Sequence, residues 1–105
     1  MPTTRTSIAT TTWRQIPIQI KMATGLREPT AVSETELRAK CLRGRHYVFV
    51  NLDASDTYTV RFVRIKRNRS ADKPLVELVD EVTRSDVYND GLGEMIYGMT
   101  HGLVK

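Results

Sequence analysis

Residues 46–67 read HYVFVNL, then DASD, then TYTVRFVRIKR, and this stretch decides the fold. Both outer runs are rich in β-branched and aromatic residues, which are typical of strands, and a short polar run separates them. The pattern predicts a β-hairpin closed by a loop of several residues. A second polar turn at residues 68–74 precedes another apolar run at residues 75–82. We therefore expect a three-stranded antiparallel meander.

The second arm of this hairpin does not alternate simply. Tyr58, Val60 and Phe62 share one parity, whereas Val63 and Ile65 have the other. A β-bulge near Phe62 and Val63 would turn all five side chains inward. The outward side would then be a cationic stripe formed by Thr59, Arg61, Arg64 and Lys66.

The third strand carries acids that could neutralise part of this stripe. Glu77 and Glu81 occupy one side of residues 75–82. In an antiparallel sheet such side chains can lie beside Arg61 or Arg64, where opposite charges stabilise the pair by about 0.2 to 1 kcal/mol.

Two segments before the hairpin have their own patterns. Residues 15–22 alternate between apolar and polar, which predicts a strand with one buried face, and Pro17 places that strand at a sheet edge. Ser33 and Glu36 have the spacing of a capping box and predict a short helix that ends near Gly44. Residues 1–12 are rich in threonine and predict a flexible tail, followed by one small domain over residues 13–105.

The C-terminal segment carries two signals. Apolar residues at helical spacing predict a helix near residues 93–100, whereas the recurring glycines leave a further strand at residues 94–104 as the alternative. The expected architecture is α+β: an edge strand, a short helix, a three-stranded antiparallel meander, and a C-terminal helix packed on one sheet face.

Composition excludes several classes of protein. The 105 residues suffice for one core, and no apolar run approaches the roughly 18 residues of a membrane span. The single cysteine, Cys41, fits a reducing compartment, so we expect a soluble cytoplasmic protein.

The net charge of +4 is distributed unevenly. Residues 38–69 hold nine Lys/Arg and two Asp/Glu, whereas residues 70–105 hold three and seven. The middle of the chain is therefore cationic and the last third is anionic.

No motif predicts a reaction, a metal site or a cofactor. His46, His101 and Cys41 lack the spacing of a zinc site, and Cys41 on an apolar face is more typical of a buried small side chain than of a nucleophile paired with a histidine. Asp86, Asp90 and Glu94 recur every four residues, which favours a solvated helix edge. An enzyme is thus the least favoured class, and it would need a deep pocket joining a histidine to carboxylates.

The basic residues are the best functional candidates. We predict a non-enzymatic binding module that contacts nucleic acid or another anionic partner through a cationic hairpin face. The alternative is a protein-interaction or homo-oligomeric assembly protein, such as a homodimer, that joins basic and acidic segments of different chains. The predicted anion-binding residues are Arg38, Lys40, Arg43, Arg45, Arg61, Arg64, Lys66, Arg67 and Arg69, with aromatic contacts from Tyr47 and Tyr58.

Overall fold

The structure, a computed structural model, describes residues 10–69, 72 and 75–103, except for the side chain of Arg43. Residues 10–14 are helical and two 3₁₀ turns lie at Leu42–Gly44 and Asn89–Gly91. The helices and strands are α1 (Ile18–Thr24), β1 (Arg27–Ala31), β2 (Glu36–Cys41), β3 (His46–Leu52), β4 (Tyr58–Arg67), β5 (Val76–Val87) and α2 (Leu92–Thr100). The strands form one antiparallel sheet in the order β1-β2-β3-β4-β5.

The core lies between one face of this sheet and the helices. Inward side chains of the central strands, among them Val48, Val60 and Phe62, pack with Leu92 and Ile96 of α2. The predicted α+β class, the hairpin and the C-terminal helix are therefore confirmed, and α2 excludes the alternative strand over its residues. The meander has five strands where three were expected.

The strand predicted at residues 15–22 is wrong, because α1 occupies Ile18–Thr24. Ile16 is 2% exposed and Ile20 is half-buried, whereas Ile18 and Met22 are 62% and 78% exposed. Residues four apart share a helix face, so Ile20 and the buried Thr24 face the core while Ile18 and Met22 face away; Ile16 lies just before the helix. Pro17 is tolerated because it precedes the first helical turn, where no backbone N–H is needed.

The short helix predicted over residues 33–44 is also wrong. Ser33 does use its side chain as a cap would, since its Oγ accepts hydrogen bonds from the backbone N–H groups of Thr35 and Glu36. The same local bonds close a turn, and here the turn leads into β2. Leu37, Ala39 and Cys41 then alternate inward as buried strand residues.

The β-bulge lies at the predicted place but on the other strand. The register of β4 against β5 shifts between Phe62 and Val63, so that Glu81 is the additional residue of β5. The register of β4 against β3 is continuous. Phe62 and Val63 are both buried, therefore, but on opposite faces of the sheet. Arg61 and Arg64 are separated in the same way, so the single cationic stripe does not form.

The N-terminal part of the chain is described only from residue 10. Residues 1–9 of the predicted tail lie outside the described residues, whereas residues 10–12 belong to the helical segment and Thr12 is buried. None of the described helices combines the length and apolar character needed to cross a membrane.

Candidate anion-binding site

The sheet has one face that no described helix covers, and we call it the open face. It follows from strand alternation: the register pairs Arg38 with Phe49 and Phe49 with Arg61, so these side chains share one side. The helices pack on the opposite side. The open face in the three central strands carries Glu36, Arg38, Lys40, Tyr47, Phe49, Asn51, Thr59, Arg61, Val63, Ile65 and Arg67.

A cleft of about 870 Å³ adjoins the open face at the end of the sheet where β2 and β3 are joined. Its walls are Lys40, Gly44, Arg45, His46, Tyr47, Arg64, Ile65, Arg67 and Val76. Four of these nine residues are Lys or Arg and none carries a carboxylate. We call this site the basic cleft. Cations from two strands and a turn lie together in this cleft.

The backbone of the turn places Arg45 at the cleft. Leu42 and Gly44 both adopt positive φ angles, +49° and +80°, and so reverse the chain within a few residues. The carbonyl of Arg45 then accepts a hydrogen bond from the backbone N–H of Ile65 at 3.0 Å. This bond ties the turn to β4 and holds one wall of the basic cleft against the other.

Two of the four cations have partners within the protein. Lys40 Nζ lies 3.6 Å from Glu28 Oε2, and Arg64 Nε donates to Glu81 Oε1 at 2.9 Å. The second pair is one of the pairings expected for Glu77 and Glu81 with Arg61 or Arg64. Arg45 and Arg67, by contrast, form no ion pair with any carboxylate of the described ranges. Two charges in the basic cleft are therefore not neutralised by direct contact.

On the open face, two guanidinium groups lie over aromatic rings. Arg38 Cζ is 4.8 Å from the ring centroid of Tyr47, and Arg61 Cζ is 4.7 Å from that of Phe49. The two rings meet edge to face at 6.1 Å. Arg61 Nη1 also lies 3.7 Å from Asp80 Oδ1. The Arg61 side chain covers Phe49, which is only 5% exposed although it faces away from the helices.

The remaining predicted residues are distributed elsewhere. Lys66 and Arg69 are exposed but do not line the basic cleft. Arg43 lies in the turn, and its side chain is outside the described part of the structure. Tyr58 is 3% exposed and donates a hydrogen bond to Gln15 Oε1 at 2.5 Å, so its ring belongs to the core. Of the two predicted aromatic contacts, only Tyr47 reaches the cleft.

Sequence reasoning missed two features of this site. Phe49 was not a candidate, although its parity with Tyr47 in the alternating run HYVFV places both rings on one face. Glu28 was missed because its pairing with Lys40 follows from the β1–β2 contact, which the sequence pattern does not predict. The position of Phe49 could be predicted from strand alternation, whereas the position of Glu28 could be predicted only from the strand order.

Cys41 and His46 face each other across β2 and β3 but are not a catalytic pair. Cys41 is fully buried, and burial raises the pKa of its thiol to about 12, against the opposing charge of Arg27. The thiolate is the reactive form of cysteine, so this residue is not a nucleophile at neutral pH. In the described parts of the chain, no cluster of three or more His, Cys, Asp or Glu could hold a metal ion.

A smaller groove of about 460 Å³ lies on the helix side of the sheet, and it contains His46 and Glu81. His46 Nε2 is 3.9 Å from Glu81 Oε1, and the imidazole stacks on Phe62 at 4.6 Å. Of the other residues in the groove, only Thr100 has a hydroxyl, and that hydroxyl donates to the carbonyl of Tyr97. A histidine and a carboxylate without an activated nucleophile do not define a reaction.

Comparison with known proteins adds no information about function. No family model matches this chain, and no match is found among curated proteins or solved structures.

Proposed function

We propose that this chain is a non-enzymatic binding module whose basic cleft takes the phosphate groups of a nucleic acid. The observation that carries the proposal is the cleft lining, whose described residues include Lys40, Arg45, Arg64 and Arg67 and no carboxylate. Contacts between Lys/Arg side chains and phosphates supply most of the sequence-independent affinity for nucleic acids. A concave site with several cations also holds more than one phosphate of the same strand.

The ion pairs of the cleft do not prevent such binding. The side chains of Lys40 and Arg64 are 39% and 47% exposed, and exposed pairs contribute about 0 to 1 kcal/mol each. Exchanging Glu28 or Glu81 for a phosphate thus costs little. Arg45 and Arg67 need no exchange at all, because no carboxylate among the described residues holds them.

The charge distribution of the fold supports the same ligand. The acids of the last third of the sequence lie mainly on β5, where Asp80 and Glu81 meet Arg61 and Arg64. The cations of β2 and of the following turn are farther from β5 in the strand order. Lys40 and Arg45 therefore lie away from the acids of β5, and the four cations of the basic cleft favour fast encounter with a polyanion.

A titration tests the proposal. A fluorescently labelled 12-nucleotide single strand and the matching duplex are titrated with the protein, with anisotropy as the readout, at two salt concentrations. If three or four phosphates are held, log K for the single strand falls with log salt with a slope of about −2 to −3. Arg45→Ala and Arg67→Ala should each make this slope shallower by about 0.7 and weaken binding.

Arg14→Ala is the matched control. Arg14 is exposed, makes no ion pair in the described chain, and precedes Gln15, which binds Tyr58 at the opposite end of β4. The control changes the net charge equally, so an equal loss of affinity would show only a general charge effect and would overturn the cleft as the site. Absence of salt-dependent binding by the unsubstituted protein would overturn the nucleic-acid function itself.

A second candidate function is self-association, and the outer edge of β5 favours it. Within the described chain no strand pairs with that edge, and Leu75, Val76 and Leu78 beside it are 78%, 48% and 50% exposed. Exposed edge strands and apolar side chains are sites at which a second chain can pair. Sedimentation at high protein concentration and low salt tests this candidate, because a monomer under those conditions would contradict it.

A further inference from the structure

We propose that the open face stacks unpaired bases, so that the ligand of this protein is a single strand of nucleic acid rather than a duplex. The inference rests on the function proposed above, because the strand is held by its phosphates in the basic cleft. It goes further in assigning the bases to a different set of residues, the guanidinium groups of Arg38 and Arg61.

The arrangement of these two arginines is regular. Arg38 on β2 and Arg61 on β4 are both register partners of Phe49 on the central strand β3. They are thus separated by two strand spacings, or about 10 Å. Each guanidinium lies over its own ring, Arg38 over Tyr47 and Arg61 over Phe49. The sheet therefore presents two braced planar cations side by side.

A braced guanidinium is a suitable platform for a base. Its inner side is attracted to the aromatic ring, which restricts the otherwise flexible side chain. Its outer side can stack on a base while its N–H groups donate to phosphate or base oxygens. Arg61 also has a buried Nε without a hydrogen-bond partner in the described chain, and its side chain is 36% exposed. The group is held by the Phe49 ring and by an ion pair with Asp80, and part of its side chain remains exposed.

The cleft and the open face are continuous, since Tyr47 belongs to both. Tyr47 lines the basic cleft, and its ring also supports Arg38. Lys40, its register partner on β2, lines the cleft as well. A strand with phosphates in the cleft consequently extends next to Arg38 and Phe49. In a duplex the faces of the bases are already stacked on one another, so only unpaired bases can use this surface.

The first experiment compares two single strands of equal phosphate content, with a duplex as a third ligand. Labelled 12-nucleotide oligothymidylate, an abasic strand of the same length, and a duplex are titrated at one low salt concentration. Stacking of one or two bases predicts that oligothymidylate binds about tenfold more tightly than the abasic strand. Equal affinity for these two strands, or tighter binding of the duplex, would overturn the inference.

The second experiment removes the planar group and keeps the charge. The double variant Arg38→Lys/Arg61→Lys should bind oligothymidylate about as weakly as the abasic strand, with an unchanged salt slope. Arg69→Lys is the matched control, since Arg69 is exposed and lies beyond β4. If the control loses as much affinity as the double variant, the assignment to Arg38 and Arg61 is overturned.

A measurement on the unsubstituted protein guards against misfolding of the variant. A strand with 5-iodouracil in place of thymine is crosslinked by light and the attached peptide is sequenced. The inference predicts attachment to the peptide that contains Tyr47 and Phe49, and attachment only to residues of the helices would overturn it.

Failure of the inference can be told from failure of the proposed function. If Arg45→Ala still weakens binding of the abasic strand while the bases make no difference, the cleft holds phosphates and only the stacking assignment falls. If neither strand shows salt-dependent binding, both proposals fall together.

Discussion

His46 lines both the basic cleft and the smaller groove on the helix side of the sheet. Burial lowers the pKa of His46 below its ordinary value of 6.5; Glu81 opposes this lowering, and Arg64 and Arg45 add to it. The unfolded chain therefore takes up the proton at higher pH than the folded chain. Stability is fully present above pH 6.5 and falls as the pH drops through that value towards the folded pKa.

Substitution of His46 should change how the free energy of unfolding depends on pH. In urea unfolding between pH 7.5 and 5.5, His46→Phe should reduce the fall in unfolding free energy, because phenylalanine keeps the stacking on Phe62 and has no proton to gain. His101→Phe is the control, as the His101 side chain is exposed at the end of α2. A profile for His46→Phe that parallels the unsubstituted protein would contradict the burial of this ring.

Cys41 gives a second prediction at the residue scale. With its pKa raised to about 12, the thiolate fraction at pH 8 is on the order of a thousandfold below that of an unfolded cysteine. Ellman's reagent should therefore react with the folded protein far more slowly than with the protein in urea. Since Cys41 is the single cysteine of the sequence, the absorbance reports this site alone. Equal rates in both states would place Cys41 at the surface.

At the scale of elements, Gly93 controls how closely α2 approaches α1. A Cβ atom built at this position would lie 2.7 Å from Pro17 Cδ and 3.2 Å from Ile20 Cγ1. Gly93→Ala should therefore destabilise the fold by about 1 to 3 kcal/mol, because a proline ring cannot move aside as a flexible side chain would. Chemical denaturation measures this loss.

Gly91→Ala is the matched control for Gly93→Ala. A Cβ at Gly91 meets nothing within 4 Å, and the φ angle of −103° is open to alanine. This control should change stability by less than about 1 kcal/mol. Equal effects of the two substitutions would show that the contact with Pro17 and Ile20 does not determine the change in stability at Gly93.

The elements also show where local patterns suffice and where they do not. The hairpin of β3 and β4 was predictable because both strands and their turn are contiguous in sequence. Glu77 and Glu81 could likewise be placed near Arg61 or Arg64 because β5 follows β4 directly, but the pattern did not show which residues pair. Residues 15–22 and 33–44 were misassigned because an alternating run and a serine-capped turn each fit a helix and a strand. In both, burial against distant residues decides the structure.

At the scale of the whole molecule, charge was predictable in sign but not in position. The excess of Lys/Arg in residues 38–69 is a property of the sequence, yet the bulge at Glu81 and the continuous β3–β4 register assign Arg61 and Arg64 to different faces. The basic cleft combines Arg45 of a turn with Arg67 at the end of β4, which are distant in sequence. Such a site depends on the strand order, so it could not be predicted from the sequence pattern alone.

Two acids of β5 allow the effect of net charge on affinity to be separated from the effect of breaking local ion pairs. Asp80→Asn/Glu81→Gln raises the net charge by two and also frees Arg61 and Arg64 from their ion pairs. Affinity for a labelled single strand at low salt should therefore rise by about two- to tenfold. The measurement is the anisotropy titration described for the basic cleft.

The control for this variant makes the same change of charge at the other end of the sheet. Glu34 and Asp56 are exposed in the turns after β1 and β3, and Thr35 beside Glu34 bonds to Leu52 there. Glu34→Gln/Asp56→Asn should give a smaller rise, because long-range attraction to a polyanion increases but no cation near the cleft is released. If both double variants raise affinity equally, β5 does not regulate the cleft, and the acids of the C-terminal third act only through net charge.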